Sequence, residues 1–168
     1  MPPGQWKRRT FLSAGVAAAV SCRSGPHGPN WRFFTNEEGR TVDAVCECLI
    51  PEDRDPGARQ AGVVDYIDIQ LTKALKKHQR AYRQGIAMVD ATARKRFGKS
   101  FADLDSGQQA DVLDDVEQNA KPFFQLILAH TQQGFYGDPR HGGNRNRASW
   151  KMLGLPYPQI RGRQRYDG

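Results

Sequence analysis

His130, Asp138 and His141 come nearest to a reactive cluster in this chain. An imidazole beside a carboxylate can exchange a proton near neutral pH, and the same side chains ligate metal ions. The surrounding pattern argues against both uses. His130 closes an apolar run with helical spacing, His141 sits in a glycine-rich loop, and no third close ligand is fixed by the sequence. A hydrogen-bonded structural role for His130 and Asp138 is the favoured reading, with catalysis or metal binding as its rival. Cys46 and Cys48 lie two apart on a predicted helix, where their side chains diverge by about 200° and cannot readily pair. They read as small buried hydrophobes, with an intermolecular or cluster contact as the alternative. Haem attachment needs C-x-x-C-H, which does not occur, and no Walker or Rossmann glycine spacing is present to cradle a phosphate.

A second set of residues has the chemistry of an address. Residues 1–22 place Lys7-Arg8-Arg9 before a small-residue apolar run from Ala14 to Val20, and no acidic residue precedes Glu37. A charged start, a short apolar stretch and small residues are the three parts of an export signal. Arg8-Arg9-Thr10-Phe11-Leu12 resembles the twin-arginine form, which serves a translocase for folded cargo, with Arg8, Arg9, Phe11 and Leu12 as its signal residues. An ordinary amphipathic first helix is the plainer alternative. Ala19-Val20-Ser21-Cys22 looks like a degenerate lipobox, making Cys22 a candidate for lipidation; alanine stands where leucine is usual, so a plain signal-peptidase cut is the rival. Residues 23–33 are rich in glycine and proline and read as a linker.

These residues need a scaffold, and 168 residues with 38% apolar content suffice for one core. The formal charge of +7 and pI near 9.6 invite a nucleic-acid reading, but the charge is unevenly placed. Residues 1–21 hold three basic and no acidic residues, residues 140–168 hold seven and one, and residues 22–139 hold 15 and 17. The body is slightly acidic, so a nucleic-acid partner is not expected. Arg161, Arg163 and Arg165 form a basic tail over residues 159–168, suited to anionic lipid or an acidic partner patch. No run reaches the ~18 apolar residues of a membrane span, so any membrane association is expected to be peripheral.

The spacing predicts about five helices. Thr35 and Glu38 form a capping box before Val42, Val45, Leu49 and Ile50, and Pro51 ends that helix. From Ala61 the residues Val64, Ile67, Leu71 and Leu75 continue one helical face. A third helix is expected over Gln79–Phe97, stopped by Gly98; a fourth is capped by Ser106; a fifth opens at Pro122 with apolar residues crowding both faces. The expected fold is a small all-α bundle over residues 34–158, without strands beyond a short hairpin and with an irregular glycine- and aromatic-rich carboxyl segment.

That segment, residues 130–154, holds five glycines, four basic residues and three aromatics. It resembles the closing motif of the gluconate 2-dehydrogenase subunit 3 family, H-T-x-x-G-F-Y-G-D-P-x-x-G-G-N followed by W-K-M-L-G. His130, Thr131, Gly134 through Pro139, Gly142, Gly143, Asn144 and Trp150 through Gly154 match. A second block runs from Leu49-Ile50-Pro51 through Pro56-Gly57-Ala58 to Ala61 through Asp68. The Cys46-x-Cys48 pair and the basic tail depart from the family pattern.

The resemblance implies a non-catalytic small subunit, without a cofactor of its own. Its partner would be a large FAD-dependent sugar, sugar-acid or alcohol dehydrogenase of the glucose-methanol-choline type, often with a multihaem cytochrome c. The small subunit's twin-arginine peptide would carry both chains to the periplasm. Phe135, Tyr136, Arg140, Arg145 and Trp150 are the expected interface, since aromatics and arginines anchor contacts. Asp138, Gly142, Gly143 and Asn144 are expected to shape the loop. A stand-alone periplasmic enzyme using His130, Asp138 and His141, and a lipid-anchored binding protein, are the competing classes.

Overall fold

The computed structural model describes residues 31–155. The expected export signal, Cys22, most of the expected linker and the basic tail lie outside the described residues. Six α-helices follow one another: α1 (Asn36–Leu49), α2 (Val63–Leu71), α3 (Gln79–Phe97), α4 (Ser106–Asn119), α5 (Lys121–Tyr136) and α6 (Ala148–Met152), joined in places by short 3-10 turns. No strand occurs among the described residues. Helix α1 packs on α2, α3, α4 and α5, and α5 touches all the other helices. The core between them is filled by Val42, Val45, Ile67, Leu71, Tyr82, Val89, Phe101, Val112, Ile127 and Phe135.

Local chemistry explains most boundaries. At α1 the Glu38 amide donates to Thr35 Oγ1 at 3.2 Å, and the Thr35 amide donates to the Glu38 carboxylate at 2.9 Å. This satisfies two amides that the helix geometry leaves open. Gly98, at φ 71°, adopts the left-handed conformation that ends α3. Helix α4 differs from expectation by one residue. Its cap is Asp105 rather than Ser106, with the Gln108 amide donating to Asp105 Oδ1 at 2.9 Å. A carboxylate outcompetes a hydroxyl for that amide because it also complements the positive end of the helix dipole.

Two further expectations need correction. The second helix stops at Leu71 instead of running on to Leu75. The Thr72 hydroxyl donates to the Ile69 carbonyl at 2.8 Å, and the chain tightens into a 3-10 turn over Lys76–His78 before α3. The carboxyl segment is irregular only as far as Arg147, where the five-residue helix α6 begins. The crowded faces of α5 also resolve unequally: Phe123, Ile127 and Phe135 are buried, whereas Phe124, Leu126 and Leu128 are half-covered.

Candidate functional site

The carboxyl-terminal loop starts where α5 ends and returns across it. The Asp138 carboxylate accepts from the Arg140 amide at 2.9 Å and is paired with the Arg140 guanidinium at 2.8 Å. Those bonds from Arg140 hold the Asp138 carboxyl below its usual range. Gly142, at φ 107°, turns the chain back. The Asn144 amide then donates to the Gly134 carbonyl at 2.8 Å. Gly143 lies so close to α5 that a Cβ there would stand 2.2 Å from the same carbonyl oxygen. Only a glycine lets the two backbones approach in this way.

Asn144 is the centre of this clasp. It is fully buried in the left-handed conformation, its Nδ2 donates to the Gly137 carbonyl at 2.9 Å, and its Oδ1 accepts from the Ser149 amide at 3.0 Å. The side chain therefore ties the end of α5 to the start of α6. Arg145 reaches a second helix: its amide donates to the Ala61 carbonyl at 2.8 Å and its guanidinium pairs with Asp65 of α2. The Gln70 amide group donates to the His141 carbonyl at 3.1 Å, and Trp150 Nε1 donates to the Tyr136 carbonyl at 2.9 Å. Asn146 and Arg147 also hold positive φ, at 56° and 57°. For arginine this conformation costs on the order of 1–3 kcal/mol, so the surrounding contacts must enforce it.

The expected interface residues separate into two groups. Phe135 is 1% exposed and Trp150 is 6% exposed, so both aromatics are part of this chain's own interior and offer no contact surface. The physical reason is that Phe135 faces the central core, while Trp150 lies on α6, which packs against α5. Tyr136, Arg140 and Arg145 are exposed. Two open depressions adjoin them. One, of about 470 Å³, is lined by Pro139, Asn146, Arg147 and Lys151. The other, of about 460 Å³, is lined in part by Asp55, Gln60, Arg145, Asn146, Lys151 and Met152.

His130, Asp138 and His141 have separate surroundings. His130 is buried; its Nδ1 lies 2.9 Å from the Tyr82 hydroxyl, the two rings are stacked, and the His78 ring meets it edge-on. Burial, helped by His78, lowers the His130 imidazole to about 4, so it is neutral at physiological pH. Tyr82 is itself fully buried, and burial raises its hydroxyl well above the ordinary tyrosine value. The pair is thus a closed internal hydrogen bond without access for a substrate. Cys46 is equally enclosed: its Sγ lies 3.3 Å from Thr131 Oγ1, and burial pushes the thiol up to about 12. Cys48 is half-buried, and both are free cysteines. Among the described residues no group of three His, Cys, Asp or Glu side chains is placed to hold a metal ion.

One buried carboxylate escapes the sequence reading. Asp68 of α2, 2% exposed, accepts the backbone amides of Arg32, Phe33 and Phe34 at 2.6, 2.9 and 3.0 Å. It pins the segment that enters α1. Its signal was available: Asp68 stands four residues after Val64 and three before Leu71, on the apolar face of the helix. Tyr82 was likewise unmarked, one tyrosine among polar neighbours before Ile86.

The family model described as gluconate 2-dehydrogenase subunit 3 matches residues 36–156, from the first residue of α1 to beyond α6. The chain belongs to the gluconate 2-dehydrogenase subunit 3 family. Comparison with curated proteins and with solved structures gave no match. In this subunit 3 chain, the matched range takes in all the residues that build the clasp: Gly134, Asp138, Gly142, Gly143, Asn144 and Trp150.

Proposed function

We propose that this protein is the exported accessory subunit of a periplasmic FAD-dependent sugar, sugar-acid or alcohol dehydrogenase, and that it helps its catalytic partner to mature and cross the membrane. The observation that carries this reading is the family match over residues 36–156, which brings with it a place in a gluconate 2-dehydrogenase-type complex. The twin-arginine sequence at Arg8-Arg9 supports the export role, because a flavoprotein that binds FAD in the cytoplasm must travel folded. The interior placement of His130 and Tyr82 suits support of the fold rather than turnover. FAD belongs to the large subunit in this reading, and haem c to a cytochrome where one completes the complex. Cys22 is the point at which a lipid would tether the assembly.

The experiment is to co-express the chain with an FAD-dependent dehydrogenase large subunit from the same genome and to delete residues 1–21. The flavoprotein should then stay in the cytoplasm. Its appearance in the periplasm without that segment overturns the carrier role, and oxidation of a sugar acid by the purified small chain alone overturns the accessory role.

A further inference from the structure

We propose that the apolar groove between α3 and α5 receives residues 14–20 of this same chain. The groove, of about 250 Å³, has Ala81, Gly85 and Met88 on its α3 wall and Pro122, Phe123 and Leu126 on its α5 wall. Gln84 adds the one polar side chain among the described residues that line it. Depressions beside α6 and between α1 and α3 hold arginine or lysine in their linings, whereas this one holds no charged residue. Phe123 lies against α3 here because position 85 lacks a Cβ, which would stand 2.2 Å from the ring. Met88 and Leu126 are only half-covered, so apolar surface is left facing water. A slender, uncharged occupant removes that surface without desolvating a charge.

Residues 14–20 read Ala-Gly-Val-Ala-Ala-Ala-Val, small, apolar and uncharged. The fold fastens the chain close to the groove. Asp68 accepts the amides of Arg32, Phe33 and Phe34, and Arg83 of α3 donates to the Phe33 carbonyl at 2.8 Å with its guanidinium over the Phe33 ring. The Phe34 ring packs on Tyr82, and the Tyr82 ring packs on Phe123 of the groove wall, each pair with centroids 5.9 Å apart. Arg83 lies on the flank of α3 away from the groove, so the run has about one helix diameter of 10–12 Å to cross. Ten residues, 21–30, join the run to Trp31 and reach up to ~33 Å when extended. A tether this short holds the run at an effective concentration of the millimolar order, so a modest contact suffices where a free partner needs a much tighter one. The consequence rests on the export reading above: the folded domain covers the apolar run of the signal until a membrane or translocase competes for it.

The test follows peroxide oxidation of Met88 and Met152 in the full chain, purified from the cytoplasm of a host without a twin-arginine translocase, and in the chain lacking residues 1–21. Hydrogen peroxide gives one oxygen to the thioether sulfur and leaves as water, at a rate that follows exposure of the sulfur. Met152 lines a depression at α6 and serves as the internal reference. Met88 should oxidise about threefold faster in the shortened chain, with Met152 unchanged. Val16→Asp combined with Val20→Asp in the full chain should give the same rise, because carboxylates resist entry into an uncharged groove. Threefold converts to about 0.7 kcal/mol, small enough to leave the melting midpoint nearly unmoved. Equal Met88 rates in the two chains overturn the inference, as does a parallel rise at Met152, which reports loosening of the whole domain. Protection of Met88 that grows with protein concentration assigns the groove to a second copy, and protection that needs an added FAD-dependent large subunit assigns it to that partner; either result overturns it. The assay reads docking alone, so its failure leaves the carrier role standing, and a failed export assay leaves the docking standing.

Discussion

His130 shows how a residue with reactive chemistry is turned into a structural one. Its imidazole is lowered to about 4 from the ordinary 6.5 because burial, and secondarily His78, disfavour the charged form. Between those two values the unfolded chain binds a proton that the folded chain refuses. The contribution to stability is therefore complete above pH 6.5 and is lost as pH falls towards about 4. Urea midpoints at pH 7.5 and 4.5, compared between the native chain and His130→Gln, should show a steeper acid loss in the native chain. Asp103 and Asp138 do not confuse that window, since their own partners hold both carboxyls below 3.8. Asp43, raised by burial, acts in the opposite direction and is common to both proteins. Asp68 makes the complementary point: a charged residue in the interior is used entirely on three backbone amides.

Among the elements, the crossing of α3 and α5 is set by one missing side chain. A Cβ at Gly85 would stand 2.2 Å from the Phe123 ring, which itself packs edge-on against Tyr82 with centroids 5.9 Å apart. Gly85→Ala improves helix propensity by up to ~1 kcal/mol yet should destabilise the protein overall, by about 1–2 kcal/mol, because overpacking outweighs it. Thermal or urea unfolding reads the loss, and Phe123→Leu in the same chain should recover part of it. Helix periods, the Thr35–Glu38 capping box and the Gly98 stop were legible from sequence because each depends on neighbours a few residues away. The end of α2 at Leu71 and the existence of α6 were not. Both depend on contacts further along the chain: the Gln79 side-chain amide donates to the Leu71 carbonyl at the end of α2, and Trp150 Nε1 donates to the Tyr136 carbonyl across the loop.

At the scale of the whole molecule, the core of the described residues lies between Phe34 and Trp150. A chain lacking residues 1–21 should melt within about 2 °C of the full chain by calorimetry, although its formal charge drops from +7 to +4. The division of charge, the helical class and the Thr35 cap of α1 were determined by the sequence alone, since composition, period and spacing are one-dimensional quantities. Which aromatics face outward was decided only by the tertiary structure. Phe135 and Tyr136 are adjacent in the chain and equally suited to an interface, yet one fills the core and the other stands exposed. Neighbours on a helix point about 100° apart, so packing of α5 against the other helices decides which of the two faces the core, while Asn144 ties α6 back onto α5. That contact buries Trp150 and turns Lys151 and Leu153 towards solvent instead.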